Sequence, residues 1–134
     1  MSILLKVFVI SFIIFLLVDF IWLGVVAKRL YDKELGMLLK EKVNFTAAFI
    51  FYIIFIIGLA VFVIIPSIDA KSIVKAMLLG AFFGLVCYAT YDLTNFATLK
   101  GFPLKIVFID LMWGTFLGFA TSTLTYLIYQ GVFK

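Results

Sequence analysis

The chain has 134 residues, of which 66% are hydrophobic, 19% aromatic and 13% charged, whereas a typical soluble domain is about 45–50% apolar and about 25% charged. So short a chain has too little interior to hide that much apolar surface from water, and the same composition excludes a disordered chain, a disulfide scaffold and a nucleic-acid-binding module. The formal net charge of +4 comes from lysines and an arginine in short segments beside apolar runs, where such residues orient membrane spans, so the expected partner is a lipid bilayer and not nucleic acid.

An apolar run spans a bilayer at about 20 residues. The first run, Ile3 to Val26, carries Lys6 near its start and Asp19 deep inside. It is too long for a removable signal peptide, and no small-residue cleavage site follows before Lys28 and Arg29. From Lys28 to Val43 the pattern changes: Tyr31, Leu35, Leu38 and Leu39 recur at helical spacing among Lys33, Glu34, Lys40, Glu41 and Lys42. This predicts an amphipathic helix on the membrane surface, weakened by Gly36, with a solvated polar loop as the alternative. The second run begins near Thr46, with Asn44 or Thr46 as its cap, and Pro66 is expected to stop it. The third covers Ile73 to Leu99 and the fourth Ile106 to Val132. The expected fold is all-α, a single domain over residues 1–134. It is an integral membrane bundle of four transmembrane helices (about 3–26, 46–65, 73–99 and 106–132), with the surface helix between the first two.

Four spans place Lys6, Lys71, Lys75 and Lys134 on one side and Lys28, Arg29, Lys33, Lys40, Lys42, Lys100 and Lys105 on the other. The richer side is expected to be cytoplasmic, with both termini outside.

Three acids stand inside the spans. Asp19 lies seven residues before Val26, Asp92 six before Thr98, and Asp110 five after Lys105. At a rise of about 1.5 Å per residue all three fall roughly 7–11 Å below the same face. An ionised carboxylate there costs at least several kcal/mol, and a shared polar pocket explains three at one depth. In the third span Tyr88, Asp92 and Asn95 follow at spacings of four and three, which places them on one helix face, with Tyr91, Thr94 and Thr98 around its rim. Trp22 follows Asp19 by three residues and Trp113 follows Asp110 by three, so each indole N–H can donate to a carboxyl on its own helix face. The nominated ligand- or proton-binding residues are thus Asp19, Trp22, Tyr88, Tyr91, Asp92, Thr94, Asn95, Asp110 and Trp113. The bland alternative is that these polar groups only hold helices together. Gly80 and Gly84, with Gly114 and Gly118, give small residues four apart and are read as packing sites. The chain has no histidine, which removes the usual proton shuttle and the commonest metal ligand, so no metal site and no cofactor are expected. Cys87 lacks a histidine to activate it and is read as a buried apolar residue.

Three blocks carry a resemblance: Asp19-Phe-Ile-Trp22-Leu-Gly24, the long segment Tyr88 to Gly101, and Asp110-Leu-Met-Trp113-Gly114. They resemble an uncharacterised family of small bacterial four-span membrane proteins, domain of unknown function 2177, over essentially the whole chain. The resemblance implies a bacterial inner-membrane protein and brings no activity, substrate or cofactor.

Three functions remain open on the residues. In the first, the Asp pocket binds, and with proton coupling transports, a small lipophilic or cationic ligand. Four spans suffice for small exporters that act as dimers, so a homodimer goes with this reading by analogy of size. In the second, a membrane enzyme uses aspartates as general acid and base on a lipid-like substrate. In the third, the chain is an accessory subunit whose polar residues bind partner helices.

Overall fold

The computed structural model of the protein describes residues 2–27 and 45–133. The expected surface helix from Lys28 to Val43, and Asn44 as a cap, lie outside the described residues.

Helix α1 (Ile3–Ile21) starts where the Ser2 hydroxyl accepts the Leu5 N–H at 3.2 Å, satisfying one of the donors a helix start leaves bare. It runs on without a break into a π-helical segment, Trp22–Ala27. The second span is α2 (Phe45–Leu59), a π-helical segment (Ala60–Ile64) and the short α3 (Ile65–Asp69). Thr46 therefore sits inside the helix and does not cap it. Pro66 does not stop the span either. Proline lacks an N–H and its ring collides with the carbonyl four residues earlier; the wider π segment just before it loosens that turn, and Pro66 then occupies the first turn of α3, where no N–H is needed.

A tight turn follows in which Lys71 takes a left-handed conformation (φ 54°). Ser72 then caps α4 (Ile73–Thr98) by accepting the Lys75 N–H at 3.1 Å. Gly101 supplies a second left-handed position (φ 74°), where a side chain would be strained, and α5 (Leu104–Phe133) completes the chain.

Among the described residues four helices are long and apolar enough to cross a membrane: Ile3–Gly24, Phe45–Asp69, Ile73–Thr98 and Leu104–Phe133. No strand occurs among them. The helices are apolar nearly all round, as lipid-facing helices are, and Leu17, Phe62 and Met112 lie exposed on the outer surface.

What turns inward is selected by position. Val7, Ser11, Phe15 and Asp19, each four residues from the next, form the buried stripe of α1. Phe15 meets Tyr52 edge-on at 4.9 Å between ring centroids, and Phe55 meets Phe83 at 5.4 Å. Lys6 Nζ lies 4.5 Å from the centroid of the Phe133 ring, tying the start of α1 to the end of α5. Between α4 and α5 the backbones touch: a Cβ on Gly84 would overlap the Gly114 carbonyl, and one on Gly118 would overlap the Gly80 carbonyl. Glycine at all four positions is what lets these two helices approach so closely.

Candidate functional site

The three aspartates belong to the end of the bundle where α1 and α4 finish and α2 and α5 begin. Asp19 is the last residue of the buried stripe on α1, and its Oδ2 accepts the Tyr52 hydroxyl at 2.8 Å. Trp22, three residues on, stands at the start of the π segment and stacks on Trp113 of α5, with centroids 4.4 Å apart and planes 8° from parallel. That stack carries the Trp113 indole to the Asp19 carboxyl, near enough to act on it as a hydrogen-bond donor. The alignment falls short of a formed bond, since the Nε1 atoms of Trp22 and Trp113 are both buried without a partner among the described residues.

Asp110 precedes Trp113 by nearly one turn, facing α4. There Asp92 is fully buried, and neither of its carboxyl oxygens has a well-formed hydrogen bond among the described residues. Asp110 is near enough to act on Asp92 through charge and as a hydrogen-bond partner. Two ionised carboxylates cannot bond to each other, so a bond between them requires one shared proton.

A cavity of about 640 Å³ opens among these groups. Of the nominated residues, Asp19, Trp22, Tyr88, Tyr91, Asp110 and Trp113 line it. Tyr91 does so with most of its surface exposed. Asp92 sits behind the wall, next to Asp110. Thr94 is exposed and, with Asn95, stands outside the lining; the Thr98 hydroxyl at the rim bonds the Thr94 carbonyl of its own helix at 2.8 Å. Asn95 shares a helix face with Asp92 but forms no hydrogen bond to its carboxyl.

The sequence reading missed one whole wall. Phe51, Tyr52, Ala47 and Ala48 bring α2 to the cavity, while Leu23 and Cys87 complete it. Tyr52 carried a signal: seven residues into its helix it lies about 10 Å deep, level with the acids. The alanines carry none, since their contribution is room. Cys87 is half-buried in the cavity wall and not sealed in the apolar core. Among the described residues no three His, Cys, Asp or Glu side chains gather to hold a metal ion.

The family model for predicted membrane proteins DUF2177 matches residues 4–127. The chain belongs to the DUF2177 family. No curated protein and no solved structure matches it. DUF2177 is a family of predicted membrane proteins of unknown function, and the four candidate spans make this member polytopic. The matched segment encloses every cavity residue, from Asp19 to Trp113.

The DUF2177 cavity offers carboxyls and phenol hydroxyls on an otherwise aromatic and aliphatic surface. A predicted consequence concerns the best-formed bond in it. Tyr52→Phe removes the hydroxyl that donates to Asp19 and should lower unfolding stability in detergent by about 1 kcal/mol. In an Asp19→Asn background the same change should cost measurably less, and equal costs in the two backgrounds would show that the pair is not coupled.

Proposed function

We propose that this protein binds a small lipophilic or cationic molecule in the cavity between its four spans, and that the aspartates couple movement of that molecule to protons. One observation carries the reading: a cavity of about 640 Å³ with two aspartates in its wall, at a depth where a polar group without a purpose is costly. The size suits a single small ligand, and mostly apolar walls with a few polar groups are what such sites use. The placement we propose is the cytoplasmic membrane of a bacterium, both termini outside, supported by the sequence, in which seven basic residues follow the first and third apolar runs against four elsewhere. A homodimer is the assembly that goes with transport.

The adjacency of Asp92 and Asp110 supports a second reading, a membrane enzyme in which one carboxyl acts as general acid and the other as general base on a lipid-like substrate. One comparison separates the two: molecules retained by the purified protein, together with whole-membrane lipids, from cells making the wild type or Asp110→Asn. Binding predicts a small molecule retained intact by the wild type and lost from the variant. Catalysis predicts lipids of altered mass in the membranes. If the wild type retains nothing and the lipids do not differ, both readings fall.

A further inference from the structure

We propose that the occupant of this cavity is an organic ammonium amphiphile, its cationic head held by the aromatic walls and by the carboxylates of Asp19 and Asp110; this rests on the binding reading above and names its ligand class. Six aromatic side chains face the cavity: Trp22, Phe51, Tyr52, Tyr88, Tyr91 and Trp113. Aromatic faces carry negative potential, and several rings around one space form the arrangement that recognises an alkylated ammonium. Stacking Trp22 on Trp113 at 4.4 Å fixes two of the best such rings in one wall, so little ordering remains to be done on binding.

Charge narrows the class further. Asp19 of α1 and Asp110 of α5 both line the cavity, in surroundings where an ionised carboxylate is stabilised by an opposite charge. An anionic amphiphile meets like charge there. A cation cage built of side chains gathers several carboxylates, and no three His, Cys, Asp or Glu side chains gather among the described residues. An alkylated ammonium needs no such shell: it is weakly hydrated, large and satisfied by rings and one or two distant carboxylates.

The chain reports on this site by itself, since both of its tryptophans line the cavity. The test places the full-length protein in lipid nanodiscs and follows tryptophan fluorescence during titration with decyltrimethylammonium. A parallel titration uses its neutral isostere, in which a tert-butyl group replaces the trimethylammonium. The expected result is a saturable change with at least tenfold tighter half-saturation for the cation, as cation–π contacts with a carboxylate counter-charge predict. That preference should fall below threefold in Asp19→Asn/Asp110→Asn. Equal binding of cation and isostere by the wild type would overturn the inference while leaving a lipophile-binding cavity in place. No saturable change with either would overturn the inference and the binding reading together. The decisive comparison uses the unaltered chain and does not depend on a variant folding; Trp22→Leu, which removes one ring without touching a charge, should weaken the cation more than the isostere.

Discussion

Replacing Gly84 with alanine should destabilise the bundle by about 2 kcal/mol, and replacing it with leucine should cost more. The added Cβ would overlap the Gly114 carbonyl, which is backbone and cannot swing aside as a flexible side chain would. The helices must therefore separate, and the whole of their close contact is lost together. Gly131 provides the control, because a Cβ there meets nothing within 4 Å among the described residues, so Gly131→Ala should melt like the wild type. Thermal unfolding in detergent checks the series; a Gly84→Ala curve that overlays the Gly131→Ala curve would show that the close approach is unimportant. The effect should also reach the cavity. Tyr88 lies one turn beyond Gly84, and its ring rests where a Cβ on Gly114 would be, so separation of α4 from α5 shifts a cavity wall and should alter the near-ultraviolet circular dichroism of the tryptophan pair.

Asp92 should behave in the opposite way. Its side chain is fully buried and holds no well-formed hydrogen bond among the described residues, with a second carboxyl beside it. Burying a polar group under those terms costs on the order of 1–3 kcal/mol, a cost that folding alone gives no reason to bear. Asp92→Asn keeps the shape and removes the acid; it should melt at or above the wild-type temperature. Asp92→Ala removes the side chain as well, leaves a void in a packed interior and should melt below Asp92→Asn. If the aspartates served helix assembly alone, Asp92→Asn would instead lower the melting temperature markedly, and that outcome would return the site to a packing role.

The fold was legible because the bilayer imposes a coarse rule that composition obeys: long apolar runs become helices, and their number follows from length. The ends were less legible, since they depend on local geometry. Pro66 reads as a stop in the sequence, yet the turn ahead of it widens and the span goes on to Asp69. The site divides along the same line. Depth alone brought Asp19, Asp110 and their tryptophans to one level, because rise per residue is nearly constant. Which way each side chain turns is decided by packing between helices, so Thr94 and Asn95, inseparable in sequence from their neighbours, fall outside the lining while Tyr52 falls within it.

The π-helical turns have a mechanical meaning. Among the described residues one, Trp22–Ala27, closes the first span and the other, Ala60–Ile64, interrupts the second, whereas α4 and α5 run as uninterrupted α-helices. A π turn carries a surplus residue, and moving that surplus along the helix by one position re-aims the side chain it passes by about 100° while the helix on either side keeps its register. Among the described residues, turns of that kind occur in the first two spans alone. Trp22 opens one such turn while Trp113 stands on an unbroken α-helix, so their stack joins a ring that a shift of register would re-aim to one that it would leave in place.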